Sequence, residues 1–286
     1  MTGRRNRVLE ASKIPMTDSR FKGRTLLVPV ISCVGLLVLA LVLISPVVNF
    51  DPEVETVAIQ IDPIAVFPDF ANIPDVDVKK QQFFDFLADY IDAENAELTA
   101  AREELLAYAE IANSGAALSR NERNRVLEIA RVYELDSDLI TDLRLINTLL
   151  QRVDVIPASL ALAQAATESA WGTSRFTLEG NNIFGQWCYE EGCGIVPERR
   201  LGGAVHEVKR FDSVESSVAA YFLNINSHQY YQDFRELRAQ MRRQQKKLDS
   251  MELSYALGRY SERGESYVVE VQTIIEQNNL KLRDKG

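Results

Sequence analysis

Ala158-Ser159-Leu160-Ala161-Leu162-Ala163-Gln164-Ala165-Ala166-Thr167-Glu168-Ser169-Ala170-Trp171-Gly172 is the stretch on which the reading of this chain turns. It is built from the best helix formers, Pro157 marks its start, and Gly172 is well placed to end it. Glu168 stands out within it. Gln164 and Ala165 lie one turn before it and Trp171 and Gly172 just after, so its surroundings are not those of a solvent-facing glutamate. The carbonyl ends of a helix disfavour negative charge, and apolar neighbours add a desolvation cost of the same sign. Both push the carboxyl toward staying protonated. An acid still protonated near neutral pH is what protonates the leaving oxygen of a sugar–sugar bond. From spacing alone, a surface or capping glutamate remains the competing reading.

Downstream of the helix, the sequence is rich in loops to about residue 204. The alternation Val205-His206-Glu207-Val208-Lys209 then predicts a short strand, half of a small hairpin lobe. Asp212-x-x-Glu215 starts another helix carrying Val218, Tyr221, Phe222 and Ile225, and a last one runs from about Tyr267 through Ile274 and Ile275. The basic run Arg238, Arg242, Arg243, Lys246 and Lys247 reads as a solvated face near a helix C-terminus. Upstream, Ser119-Arg120-Asn121-Glu122 matches a capping box, and Asp136 or Ser137 can cap a helix through Leu139, Leu143, Ile146 and Leu150. From Gln81 to Asn113, Phe84, Leu87, Ile91, Leu98, Ala101, Leu105 and Tyr108 fall at helical spacing, broken only at Glu94. That stripe is expected to pack on the chain's own domain, because three heptads with a polar break make a thin coiled coil. Residues 51–80, with Pro52, Pro63, Pro68 and Pro74 among acidic side chains, read as an extended acidic linker.

The N-terminus is different. Arg4, Arg5, Arg7, Lys13, Arg20, Lys22 and Arg24 precede an uncharged stretch, Thr25 to Phe50. Leu26 to Val48 supplies the roughly 20 apolar residues that a bilayer core of about 30 Å requires. The run is longer than the 7–15 residues usual in a cleaved signal, and Ser45-Pro46-Val47 is a poor cleavage site. An uncleaved anchor is therefore expected, with the basic end held in the cytoplasm and everything from about residue 51 outside. In an oxidising compartment Cys188 and Cys193 are expected to form a short-loop disulfide. Free thiols are the alternative, and zinc with His206 and His228 would require tighter paired spacings, so no metal is expected.

Across all 286 residues the net charge is −9, which argues against nucleic acid as the main partner. Hydrophobic residues make up 46%, so the chain buries a core rather than staying disordered. No G-x-S-x-G, P-loop or H-E-x-x-H occurs, and two histidines in all leave little room for histidine-based catalysis.

The run from Ala163 to Gly172, followed by Asn181-Asn182-Ile183-Phe184-Gly185-Gln186, resembles the signature of peptidoglycan β-N-acetylglucosaminidases of the flagellar-muramidase type. Arg210 to Ser217 with Tyr221 resembles that family's next helix, and Ala256-Leu257-Gly258-Arg259-Tyr260 with Tyr267 its closing tyrosine motif. Four blocks agree in order and spacing over about residues 140–280. The anchor, the helical preface and the stretch from Gly185 to Gly194 are most similar to the bacterial Bax family. The resemblance implies a mainly α fold: a lysozyme-like helical domain with a small β lobe, preceded by one transmembrane helix and an amphipathic helical preface. The expected division is 1–25 cytoplasmic, 26–49 anchor, 50–80 linker, 81–135 preface and 136–286 glucosaminidase-like domain.

By the same resemblance, Glu168 is the general acid and the β lobe supplies a second carboxylate. Glu198 is its best match, with Glu190, Glu191 and Glu207 as rivals, because the Cys188–Cys193 insertion can displace the lobe. Tyr260 and Tyr267 are candidates to orient the water or the 2-acetamido group. Asn181, Asn182 and Gln186 suit sugar hydroxyls and acetamido groups, and Phe184 and Trp187 suit stacking on pyranose rings, one of the two being expected in the core. The implied activity is hydrolysis of the β-1,4 bond between GlcNAc and MurNAc in peptidoglycan, without a cofactor. It would take place in the periplasm at the inner membrane, with any protein regulator unnamed. A lytic transglycosylase, or a weakly catalytic glycan-binding or scaffolding protein, are the alternatives.

Overall fold

A computed structural model of the protein describes residues 67–136, 141–198 and 205–285. The span expected over 26–49 and most of the linker lie outside the described residues. No helix among the described residues is long and apolar enough to cross a membrane. The helices are α1 (Val76–Asn113), α2 (Arg120–Val132), α3 (Asp142–Arg152), α4 (Ala158–Ser169), α5 (Arg175–Gly180), α6 (Val214–Ser227), α7 (Gln232–Arg243), α8 (Ser250–Ser254) and α9 (Glu265–Gln277). Short strands β1 (Trp187–Cys188), β2 (Gly194–Ile195) and β3 (Glu207–Lys209) form one antiparallel sheet in the order β1-β3-β2. A mainly helical body with a small β lobe is consistent with the lysozyme-like architecture that the sequence implied.

The helix α4 is the axis of this body. Ala158 through Ala166 are all buried, so apolar surface runs right round it, as expected of a core helix rather than an amphipathic one. Its alanines let neighbours approach closely, and α1, α8, α9 and the turn Leu280–Arg283 all pack on it. Its first turn is capped from far along the chain: Asp284 accepts from Ser159 N and Oγ, both at 2.8 Å.

The preface differs from expectation in two ways. It begins at Val76 rather than at residue 81, because the Asp75 carboxylate accepts from Asp77 N and Val78 N and so caps the helix earlier. Nor is the stretch from 67 to 80 an extended linker, since Phe67 and Phe70 are buried with Phe83 and Phe84 of α1. The apolar face of α1 packs on α3, α4 and α6, inside the same compact unit as the rest. The Ser119–Glu122 capping box forms as read, with Glu122 accepting from Ser119 N and Ser119 Oγ from Glu122 N.

The basic run requires a correction. Arg238 of α7 is fully buried, not solvated. Its guanidinium donates to the carbonyls of Gln151, Arg152, Asp154 and Val155, which end α3 and lead into α4. Beside it the buried Asp154 carboxylate pairs with Arg242 at 2.8 Å and Arg102 at 3.4 Å. Burial alone would raise the Asp154 carboxyl, but Arg238, Arg242 and Arg102 together hold it below the usual carboxylate range. Helical spacing cannot show that one of these cations meets a buried partner.

Candidate active site

The chain leaves α4 through three successive left-handed residues, Ala170 (φ +50°), Trp171 (φ +59°) and Gly172 (φ +77°). Two of these are not glycine, a conformation that persists only when the surroundings over-determine it. Here the surroundings are aromatic. The Trp171 ring packs edge-on against Phe83 and Phe84 at 5.9 and 5.3 Å, and a Cβ on Gly172 would lie 2.6 Å from the Phe70 ring. Ser169 Oγ accepts from Gly172 N at 2.8 Å, closing the turn. Gly172→Ala is therefore expected to cost at least about 1–3 kcal/mol of stability, which urea denaturation at pH 7 would read. An unchanged midpoint would mean that the aromatic hood yields to a methyl group.

This turn fixes Glu168 two residues earlier. Its carboxylate is mostly buried, and its Oε1 has no hydrogen-bond partner among the described residues. Desolvation pushes its pKa up to about 7, against the lowering effect of the Tyr267 hydroxyl and of Arg263, with Glu270 adding to the rise. Glu168 is thus poised to carry a proton at neutral pH. The loop after α5 closes one side: a Cβ on Gly185 would lie 3.3 Å from Glu168 Oε2, and the φ of +66° favours glycine.

Behind Glu168 lies a tyrosine cluster. Tyr267 is fully buried, accepts from Gln164 Nε2 at 2.9 Å and holds the Glu168 carboxyl down electrostatically. Tyr260 stacks on Tyr267 with ring centres 5.6 Å apart and donates its hydroxyl proton to the Phe184 carbonyl at 2.9 Å. Both hydroxyls are thus engaged with protein groups. Tyr221, read from the sequence as part of a helix motif but not as a site residue, completes the cluster with two residues the sequence did not single out, Tyr231 and, at its edge, Arg263, whose guanidinium lies 5.3 Å from the Tyr267 ring centre. Gln164 carried a readable signal, since it stands four residues before Glu168 and shares its face of α4.

The predicted glycan contacts separate. Phe184 is core: it is 1% exposed and its ring stacks on Tyr221 at 3.9 Å, so no sugar can reach its face. Asn182 is also buried, and its amide braces the loop by donating to the Gln186 and Lys209 carbonyls and accepting from Gln186 N. Asn181 and Gln186 are half-buried, with their amide groups donating to the Phe211 and Ser217 carbonyls. Trp187 is 52% exposed on the β lobe and stacks on His206 at 4.2 Å.

The expected disulfide is present between Cys188 and Cys193. Glu207 is buried beneath that loop, where its carboxylate accepts from Gly192 N and Gly194 N. It is a brace of the lobe, which removes it as a rival for the second carboxylate. Glu190 and Glu191 are exposed. Glu198 is 83% exposed and 4.0 Å from Arg175. Among the described residues, no second carboxylate hydrogen-bonds within the Glu168 cluster.

The geometry agrees with the comparisons to known proteins. A family model described as mannosyl-glycoprotein endo-beta-N-acetylglucosaminidase matches residues 144–280, which span α4, the β lobe and α9. The chain is 36% identical over 200 residues to "Protein bax" of Escherichia coli (strain K12), covering 70% of each chain. No solved structure matches it. The helical body accords with the sequence similarity, and that similarity shows that this chain belongs to the Bax-type glucosaminidase family.

Proposed function

We propose that this protein is a glycoside hydrolase that cleaves the β-1,4 bond between GlcNAc and MurNAc in peptidoglycan, with Glu168 as the general acid. The N-terminal apolar stretch anchors it in the inner membrane, with the catalytic domain in the periplasm. The observation that carries this reading is the protonatable Glu168 carboxyl, raised to about 7 at the end of a buried helix. A proton held there at neutral pH passes to the glycosidic oxygen as the bond breaks, and the carboxylate left behind is stabilised by the Tyr267 hydroxyl. Tyr267 and Tyr260 then act on Glu168 and on the Phe184 loop rather than on the substrate's acetamido group. Trp187 offers a ring to a pyranose from the β lobe, and the free sides of Asn181 and Gln186 face polar sugar groups.

Glu198 is the carboxylate that can activate water from the β lobe once glycan is bound. Its exposure favours a second reading, because a lytic transglycosylase needs only one glutamate and expels the leaving group by intramolecular attack. The full chain in detergent, incubated with purified peptidoglycan, decides between them by mass spectrometry of the released sugars. Reducing-end GlcNAc is expected. Ends of 1,6-anhydro-MurNAc would replace the hydrolase with the transglycosylase, and no release from folded protein would overturn both in favour of glycan binding.

A further inference from the structure

Gln164 carries a side chain that packing alone does not explain. It is fully buried in α4, where an amide is costly unless its donors and acceptor find partners. Both ends are used. Gln164 Oε1 accepts the Tyr221 hydroxyl proton at 2.7 Å, and Gln164 Nε2 donates to the Tyr267 oxygen at 2.9 Å. The two tyrosines lie 57 and 103 residues away in sequence, on α6 and α9. A hydroxyl has one proton, and with Gln164 donating to the Tyr267 oxygen that proton has no return route to the amide. The group left to receive it is the Glu168 carboxylate, with which the Tyr267 hydroxyl interacts.

We propose that Gln164 is a positioning residue: locked by Tyr221, its amide aims the Tyr267 O–H at the Glu168 carboxylate. The opposite amide orientation would present Gln164 Oε1 to Tyr267 and draw the proton away from the acid. It would also face the amide NH2 toward Tyr221, whose ring is held by Phe184 on one side and Phe222 at its edge, and so remove the acceptor that its proton uses. The directed chain Tyr221→Gln164→Tyr267→Glu168 is thus the orientation in which both tyrosine hydroxyl protons have an acceptor. Its members reinforce one another, since a hydroxyl that accepts one hydrogen bond donates a stronger one. The proposal rests on the reading of Glu168 as the acid. Without the aim, the carboxylate left after proton transfer would lose the support of that hydroxyl while its burial remained.

Other charged and titratable groups also face Glu168. They are Tyr267 and Glu270 of α9, Arg263 before it, Tyr260, Tyr231 and Tyr221. Arg263 pairs with Glu270 at the surface, so the two oppose each other at Glu168 and neither is altered by a change at residue 164. The test follows the Glu168 carboxyl directly, by carbon NMR titration of the full chain in detergent with labelled glutamate, assigned by the signal lost in Glu168→Gln. Gln164→Met keeps side-chain length without the amide. Tyr221→Phe keeps the stacked ring and removes only the outermost proton, so it tests the chain even where Gln164→Met fails to fold.

Each variant is expected to raise the Glu168 midpoint by about 0.5–1 pH unit. Neither should add a shift when Tyr267 is already Phe. Midpoints unmoved by either variant, or shifts that persist unchanged in the Tyr267→Phe background, would overturn the proposal and leave Gln164 as packing. The titration requires no turnover, so its failure is separable from that of the functional reading. Full activity in Glu168→Gln would sink the acid assignment while leaving the hydrogen-bond chain standing.

Discussion

Glu168→Gln is expected to lose glycan cleavage by roughly 10²–10⁴-fold, the range of a general acid's contribution, while the fold persists. The substitution keeps the size and shape of the side chain and removes only the transferable proton. It should also stabilise the protein in a pH-dependent way. The folded-state pKa of Glu168 is raised from 4.5 to about 7, so its contribution to stability is complete below about pH 4.5 and is lost as pH rises through 7. Above pH 7 the buried charge costs stability, by at most roughly 3 kcal/mol at about 1.4 kcal/mol per pH unit. Thermal unfolding at pH 8 should therefore show the glutamine variant melting above wild type, with the two converging near pH 4. An inactive variant with the same melting temperature at every pH would mean that the carboxyl is not desolvated.

Asp154→Ala should give the largest loss of stability in the molecule, about 3–5 kcal/mol, the usual result of removing one partner from a buried ion pair. Three arginines converge on this carboxylate, and Arg238 is entirely enclosed, so the alanine variant leaves a buried cation without its counter-charge. The pH dependence has the opposite sign to that of Glu168. Asp154 is held below its ordinary value, so its contribution is present above about pH 4 and is lost as pH falls through the lower folded value. Guanidinium denaturation of wild type and variant should show a wide gap at pH 7 that narrows toward pH 3. A loss below 1 kcal/mol at pH 7 would mean that the arginines are satisfied by the backbone carbonyls alone.

The legible and illegible parts of the molecule divide along a physical line. The helix α4, its stop near Gly172 and the unusual setting of Glu168 were readable because each depends on residues within one or two turns. The Ser119–Glu122 cap was readable for the same reason, and the Cys188–Cys193 pair because its members stand only five positions apart. Residue type misled where tertiary burial decides: Phe184 and Asn182 look like sugar contacts, yet one fills the core and the other ties a loop. The partners of Asp154 and Gln164 come from sequence positions 52 to 103 residues away and leave no periodic trace. Arg238 illustrates the failure sharply, because a basic run shows charge but not which member turns inward.

The hood over the Ala170–Gly172 turn has a consequence for where this unit can be cut. The recognisable family segment begins at residue 144, after α1 and the Phe67–Phe70 turn have passed. Yet those earlier residues cover the end of the helix that bears the acid, and Arg102 of α1 reaches Asp154. The stretch that the family model matches is therefore smaller than the unit that packs as one body. Exchange of this domain between proteins, in evolution or in the laboratory, has to carry α1 along, and a graft made at the edge of the signature would transfer Glu168 without the wall that covers the end of its helix.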